Sequence, residues 1–118
     1  MTDRTLTVEA ETHSSGVTVL TVTGELDHHT APRLTHALEN TPFARDSGTV
    51  LDLSGLSYCD STGITVLITA YHRAQATGSN LFLAGVSSDL MRVFRIVGLD
   101  QVLSFQPNVD SAVAALRL

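Results

Sequence analysis

The chain contains no lysine and no tryptophan, and its only cysteine is Cys59. With a single cysteine no intrachain disulfide can form, which is typical of proteins from a reducing compartment. The seven residues that are lysine or arginine are all arginines; with 12 acidic residues they leave a net charge of −5. Because a protein that binds nucleic acid needs cations to neutralise phosphates, we expect no direct nucleic-acid partner.

Long apolar runs are also missing. The first residues, MTDRTLTVEAE, hold no apolar core of signal-peptide length, and no window is long enough to cross a bilayer. At 118 residues the chain fits one domain over residues 1–118, which is enough to bury about two-thirds of its unfolded surface. We therefore expect a cytoplasmic protein with no membrane partner.

Motifs that bind a cofactor or a metal are absent as well. Neither G-x-x-x-x-G-K-[ST] nor G-x-G-x-x-G occurs, so no glycine loop is expected to cradle a phosphate. His28 and His29 are adjacent and point apart on any regular element, and His36 lies about two turns further on. No H-x-x-x-H or C-x-x-C spacing occurs. We expect no metal and no cofactor.

A serine hydrolase is the enzyme class that the sequence around Ser61 resembles most. Residues 59–63 lie between a predicted strand and a predicted helix, as a hydrolase nucleophile does, yet Cys59 replaces the first glycine of G-x-S-x-G. The only histidine that follows, His72, is about three turns along the same predicted helix and cannot return to Ser61. We expect no catalytic residues, and therefore no enzyme.

Two segments near the start have the pattern of strands. Leu6, Val8 and Ala10 alternate with polar residues, which predicts a half-exposed strand. Residues 17–23 are β-branched and apolar, and they predict a second strand, antiparallel to the first through a turn at 13–16.

Strand and helix patterns then alternate, which predicts parallel pairing and right-handed crossovers. Pro32 suits the first turn of a helix that Pro42 stops. Residues 50–53 and 81–84 show little polar alternation, as central strands do, and a last strand and a last helix are predicted around 103–105 and from about 109. Two helices between them carry apolar stripes that end at a glycine: Ile64, Leu67, Ile68 and Tyr71 before Gly78, and Leu90, Val93, Phe94 and Val97 before Gly98. The predicted fold is a small α/β sandwich with a mixed sheet of four or five strands and about four helices.

The segment LDLSGLSYCDSTG, residues 51–63, contains the strongest candidate site. A strand is expected to run into a short turn and then into Asp-Ser-Thr-Gly at the start of an apolar helix. The first N–H groups of a helix have no intrahelical partner and lie at the positive end of its dipole, so an anion such as phosphoserine at Ser61 or Thr62 finds donors there. The alternative is that Asp60, Ser61 or Thr62 only caps the helix.

Cys59 and Asp52 lie in this segment, before Asp-Ser-Thr-Gly. Cys59 is expected to be a small buried hydrophobic residue, although a helix N-terminus nearby could instead lower the pKa of its thiol. Asp52 falls in an apolar strand, so its carboxylate must reach solvent at the strand end or accept hydrogen bonds.

The wider pattern resembles a known family. VLDLSGLSYCDSTGITVLI, residues 50–68, is similar to the core motif of STAS domains of the anti-sigma factor antagonist type, in which a strand ending in DLS precedes D-S-[ST]-G-[LI]. Upstream, TGELD at 23–27 resembles the family's G-E-[LI]-D strand end, and downstream Gly98 and Leu99 resemble its late Gly-Leu helix exit. Together these matches cover nearly the whole chain.

The resemblance implies an anti-sigma factor antagonist, with a STAS-type fold. The unmodified protein of this family binds an anti-sigma factor with serine kinase activity and so frees a sigma factor, in stress-response or sporulation signalling. That kinase modifies the serine that matches Ser61, with Thr62 as the rival acceptor here, and a serine phosphatase restores binding. The residues expected at the partner surface are Asp27, Asp60, Ser61, Thr62 and Gly63, with Gly63 admitting the partner's backbone.

Departures from the family pattern leave a second function open. Thr65 stands where glycine or alanine is frequent, Tyr58 and Cys59 replace the commoner Phe-Met type pair, and His28 and His29 occupy a loop that often has small residues. The histidines are expected to be structural or surface residues and could tune a partner surface. The alternative function is a STAS regulatory or scaffold module of a larger signalling assembly that does not act through phosphorylation.

Overall fold

A computed structural model describes residues 5–13, 15–43 and 47–116. Ser14, in the predicted first turn, lies outside the described residues. The described residues form five strands, four α-helices and a 3₁₀ turn. In chain order these are β1 (Leu6–Thr12), β2 (Thr18–Leu26), α1 (Ala31–Glu39), β3 (Thr49–Cys59), α2 (Ser61–Thr77), β4 (Leu81–Ala84), α3 (Ser88–Ile96), the 3₁₀ turn (Leu99–Gln101), β5 (Ser104–Gln106) and α4 (Val109–Leu116).

The five strands form one mixed sheet in the order β1-β2-β3-β4-β5. β1 runs antiparallel to β2, while β2, β3, β4 and β5 pair in parallel. The α/β class, the mixed sheet and the antiparallel first pair are confirmed. Each parallel step needs a crossover, and the helices supply it, so the N-termini of α1, α2 and α3 all lie at the carboxyl edge of the sheet.

The helices cover both faces of the sheet. Leu34 of α1, Leu67 of α2 and Phe94 of α3 belong to one core cluster, whereas Val113 of α4 packs with Val50 in a second cluster. Both clusters receive residues of β2 and β3, because successive side chains of a strand point to opposite faces. All five of these side chains are 5 % exposed or less.

The main correction to the predicted elements concerns β3. The sequence predicts a strand over 50–53 followed by a turn, but β3 continues to Cys59 and pairs with β2 as far as Leu26. Two register shifts interrupt this pairing, which is how a long parallel pair absorbs the irregular segment around Gly55. The backbone N–H of Asp60 then donates to the Leu26 carbonyl (3.1 Å). The start of α2 is therefore tied directly to the end of β2.

The ends of α2 follow local signals. Asp60 is its N-cap and Gly78 its C-cap, the latter with φ +71°, a left-handed conformation that glycine adopts without strain. At 17 residues α2 is the longest helix described. No helix in the described part of the chain is long and apolar enough to cross a bilayer.

The predicted apolar stripe of α3 is only partly buried. Leu90 and Phe94 lie in the core, but Val93 and Val97 are exposed. α3 makes the crossover from β4 to β5, with the ring of Phe94 6.0 Å from that of Phe105, and among the described elements no other α-helix packs extensively on α3. Only the narrow stripe that faces the sheet is covered.

Candidate functional site

Asp60 fixes the start of α2. Its Oδ1 accepts a hydrogen bond from the N–H of Gly63 (2.9 Å), which caps the helix. Its Oδ2 accepts from the N–H of His28 (3.2 Å), in the loop between β2 and α1. One carboxylate therefore holds two separate segments together, and both lie at the carboxyl edge of the sheet.

Asp27 organises the loop from the inside. Asp27 is 2 % exposed, and its Oδ1 accepts hydrogen bonds from the N–H groups of His29 (2.9 Å) and Thr30 (3.0 Å). Its own N–H donates to Thr30 Oγ1 (2.9 Å), and that hydroxyl donates to the carbonyl of Glu25 (2.7 Å). Since the side chain of Asp27 is buried, it shapes the surface only by holding the loop, through which it connects to Asp60.

Ser61 and Thr62 are the exposed hydroxyl residues of this end. Both side chains are exposed in the first turn of α2, immediately after the capping Asp60. Among the described residues, no hydrogen bond engages either hydroxyl group. The cap is Asp60, so neither hydroxyl is needed for capping and both are open to modification chemistry.

Gly63 requires a correction. Glycine at this position was expected to let a partner's backbone approach, but Gly63 is buried, and a Cβ there would lie 2.7 Å from Leu26 Cγ and 2.8 Å from Cys59 Sγ. The missing side chain faces the protein interior. Glycine is needed because the first turn of α2 packs closely on the ends of β2 and β3.

Cys59 is the buried hydrophobic residue that the sequence predicts. It is 7 % exposed, and burial, with a smaller contribution from the negative charge of Asp60, raises the pKa of its thiol from 9.0 to about 12. The alternative of a thiol activated by the helix N-terminus is wrong, because the cost of removing the thiolate from water exceeds any gain from the dipole. Asp52 meets its expectation as well: it is half-buried, and its carboxylate accepts from the N–H of Ser54 (3.1 Å).

His28 and His29 are exposed beside the site. Their ring centroids are 4.0 Å apart, and His28 lines, with Thr62 and Thr35, an open groove of about 520 Å³ between α1 and α2. Within the described ranges, no three residues among His, Cys, Asp and Glu are grouped so that they could hold a metal ion. His72 lies exposed on α2, 11 residues after Ser61, so no imidazole from that position reaches the serine.

Sequence reasoning missed two features of this end. Thr30 is buried and its hydroxyl links Asp27 to Glu25, and the carboxylate of Asp60 binds the loop as well as its own helix. The D-x-x-T spacing of Asp27 and Thr30 is a local signal for the first feature, since short polar side chains bond backbone groups a few residues away. The second has no local signal, because His28 and Asp60 are 32 residues apart.

Comparisons with known proteins point to one family. The family model of the STAS domain matches residues 8–112. The anti-sigma-B factor antagonist of Listeria monocytogenes is 37% identical over 89 residues, which cover 75% of this chain and 77% of that protein.

Two solved structures are also similar. An anti-sigma factor antagonist from Mycobacterium paratuberculosis superposes with a TM-score of 0.84 at 27% identity, covering 99% of this chain and 98% of that one. The Bacillus cell fate determinant SpoIIAA, in its phosphorylated form, has a TM-score of 0.68 at 19% identity and covers 94% of this chain and 100% of its own. At that identity the second likeness shows the fold alone.

Proposed function

The chain belongs to the STAS domain family of the anti-sigma factor antagonist type, and we propose that its unmodified form binds an anti-sigma factor with serine kinase activity. Binding frees a sigma factor to act with RNA polymerase. Phosphorylation of Ser61 by that kinase ends the binding, and a serine phosphatase restores it. The protein acts in the cytoplasm as a regulator without catalytic activity, in stress-response or sporulation signalling.

The observation that carries this proposal is the state of Ser61. Its hydroxyl is exposed and is not used for capping, because Asp60 already caps α2 through the N–H of Gly63. A phosphate at this position adds about −1.5 to −2 charges at the positive end of a helix dipole, so the fold tolerates it. Phosphorylation can therefore change the surface of this end without melting α2.

The names of relatives support the same function. The Listeria protein is named for antagonism of an anti-sigma factor, and the Bacillus protein of the same fold has been solved in a phosphorylated form. In this chain, DSTG at 60–63 provides the hydroxyl residues that such a modification requires.

The effect of the phosphate on binding follows from charge. Asp60 lies next to Ser61, so the modified end carries two neighbouring anionic groups. An interface that fits the neutral serine has no cation placed for them, and an unpaired interfacial charge costs roughly 2–5 kcal/mol. At about 1.4 kcal/mol per factor of ten, that is a loss of roughly 30-fold to several thousand-fold in affinity.

Binding of three variants tests the proposal. Ser61→Ala should bind the kinase anti-sigma factor as the parent chain does and become insensitive to ATP, because only a small hydroxyl is lost. Ser61→Asp should bind more weakly, at the lower end of the range above, because aspartate carries less charge than phosphate. Titration calorimetry with the partner, captured from native lysate and then purified, gives the affinities. Equal affinities for all three chains would leave Ser61 as a surface hydroxyl with no switch function.

Thr62→Ala is the matched control, since Thr62 is the neighbouring exposed hydroxyl residue. After incubation with the kinase and ATP, peptide mass spectrometry should place the phosphate on Ser61 in both the parent chain and Thr62→Ala. Phosphate on Thr62 with Ser61 unmodified would reassign the acceptor and keep the function. Binding with no phosphate on either residue would instead favour a regulatory or scaffold module that works without phosphorylation.

A further inference from the structure

The C-terminal half of α3 exposes an apolar surface. Ile96 is 77 % exposed and Val97 54 %, with Val93 beside them and Val102 just after the 3₁₀ turn. Val93, Ile96 and Val97 are three and four positions apart, so they are neighbours on the helix surface, and the 3₁₀ turn packs on α3. We call Val93, Ile96 and Val97 the α3 patch. Single exposed apolar residues are common, but a group of neighbouring ones is typical of an interaction surface.

Two exposed cations lie beside this patch. Arg92 and Arg95 are exposed on the same half of α3, and neither forms an ion pair with any residue that the structure describes. By contrast, Arg33 and Arg73 donate to the backbone carbonyls of Leu6 (2.9 Å) and Leu38 (2.6 Å). The two arginines of α3 are thus uncommitted cations, in a chain whose net charge is −5.

Two acidic residues flank these arginines, and no described ion pair joins either of them to the arginines: Asp89, one helical turn before Arg92, and Asp100, in the 3₁₀ turn after α3. Asp89, the acidic residue of α3, is two turns from Ile96, at the other end of the helix. Arg95 in the last turn complements the helix dipole, which explains one cation without a partner protein. Neither the dipole nor Asp89, the i−3 neighbour of Arg92, gives a reason for the exposure of Ile96.

The patch lies away from Ser61. α3 begins at the carboxyl edge of the sheet, after β4, and returns to the amino edge, where β5 starts. Ser61 begins α2 at the carboxyl edge, and 17 helical residues span about 25 Å. Val102 shares a cavity with Tyr71 and Gln75, in the C-terminal half of α2. The two surfaces are at opposite edges of the molecule.

We propose that the α3 patch docks an acidic amphipathic segment of another protein, independently of the state of Ser61. Apolar side chains of that segment cover Ile96, Val97 and Val93, and its carboxylates pair with Arg92 and Arg95. This is the physics by which an amphipathic helix lies on a complementary apolar face. The two arginines without ion pairs favour an acidic partner.

Two other occupants fit less well. A second copy of this chain, related by a two-fold axis, would bring Arg92 and Arg95 towards the same residues of its partner, and each copy carries a net charge of −5. An anionic membrane would attract the two arginines but repel the chain as a whole.

Photo-crosslinking identifies the occupant. p-Benzoylphenylalanine is placed at position 96 in the full chain in cells, with position 72, exposed on α2, as the control site. The proposal expects adducts at position 96 on one acidic, apolar segment of one protein, in equal yield from the Ser61→Ala chain. Adducts with lipid, with a second copy of this chain, or no more frequent than at position 72 would overturn it.

A synthetic peptide with the crosslinked sequence then tests the chemistry. Its affinity, measured by fluorescence anisotropy, should fall roughly tenfold or more for Arg92→Glu/Arg95→Glu and for Ile96→Asp, and remain unchanged for His72→Asp; tenfold corresponds to about 1.4 kcal/mol. A peptide with lysines for its carboxylates should recover binding to the double glutamate variant. Affinity unaffected by reversal of the two arginines would overturn the proposal. All substituted side chains are exposed, and circular dichroism checks that each variant folds.

Discussion

The Ser61 end and the α3 patch present opposite kinds of surface. At the Ser61 end, Asp27 and Asp60 hold the loop and the helix start by hydrogen bonds that are 2.9 to 3.2 Å long, and the exposed groups are hydroxyls. At the patch, large apolar side chains face solvent with few contacts. A rigid polar end can be switched by charge without losing its shape, whereas an apolar face gains energy only when something covers it.

Because the two surfaces differ in this way, a substitution among the residues that hold the Ser61 end affects folding as well as binding, whereas one at the α3 patch affects binding alone. Replacing Asp27, Asp60 or Gly63 disturbs the fold as well as any partner, because each holds or fills the structure around it. Replacing Ile96 leaves the free chain nearly unchanged, so a loss of binding there is attributable to the contact itself.

The reactivity of two thiols in one variant compares the α3 patch with the Ser61 end. Ile96→Cys carries an exposed thiol at the patch and the buried thiol of Cys59 beneath Ser61. With a pKa of about 12 against an ordinary 9.0, Cys59 holds roughly a thousandfold less thiolate at neutral pH. Mass spectrometry after iodoacetamide treatment should find position 96 alkylated much faster than Cys59, by up to roughly a thousandfold.

The pH dependence of alkylation also separates the two thiols. The alkylation rate at position 96 should level off once the pH passes about 9. In the folded protein the alkylation rate at Cys59 should keep rising until the pH reaches about 12. A raised folded-state pKa also means that stability is lost as pH rises from about 9 to 12, since the unfolded thiol ionises first. Equal rates at both thiols of the folded chain would mean that Cys59 is open to solvent.

Asp27→Ala tests the hydrogen bonds inside the loop. The variant leaves the N–H groups of His29 and Thr30 without their carboxylate acceptor. We expect the free energy of unfolding to fall by roughly 3 kcal/mol, because bonds to a buried carboxylate are among the stronger ones and their loss leaves buried donors. Urea denaturation measures it. Asp100→Ala, at an exposed position next to the α3 patch, is the control and should change stability by less than about 0.5 kcal/mol.

Gly63→Ala tests the corrected role of that glycine. Alanine normally stabilises a helix relative to glycine by about 0.4–1 kcal/mol. Here the added Cβ would meet Leu26 and Cys59 at less than 3 Å, so we expect a loss of roughly 1–3 kcal/mol. Thr62→Ala, one residue earlier and exposed, should show no such loss. A stabilised Gly63→Ala chain would mean that the packing relaxes and that the fold does not require glycine at this position.

The sequence predicts features whose causes are local. Asp60 and Gly78 signal the two ends of α2 within a few residues, and the structure has both caps. The length of β3 could not be predicted, because residues 54–59 become a strand only by pairing with β2, about 30 residues away. The exposure of Val93 and Val97 could not be predicted for a related reason. Their spacing is that of a core stripe, and they are uncovered because no other described α-helix packs extensively on α3.

At the candidate site, too, local features can be predicted from the sequence and long-range contacts cannot. The order Asp60, Ser61, Thr62 at a helix start is readable from the sequence, and the structure exposes both hydroxyl residues there. The inward side of Gly63 and the bond from His28 to Asp60 depend on how β2, β3 and α2 meet. Contacts between distant segments leave no pattern in a single sequence, because either partner alone is an ordinary residue.

Ile96→Ala, compared with Phe94→Ala on the same helix, tests how free the α3 patch is. Phe94 is fully buried, so its truncation should cost roughly 3–5 kcal/mol of unfolding free energy through lost burial and a cavity. Ile96 is 77 % exposed and loses almost no burial, and alanine is the better helix former, so we expect a change within about 0.5 kcal/mol. Thermal and urea denaturation of both variants measure this difference between residues two positions apart. A loss above about 1 kcal/mol for Ile96→Ala would mean that its side chain is covered in the free chain, and the patch would then not be open for a partner.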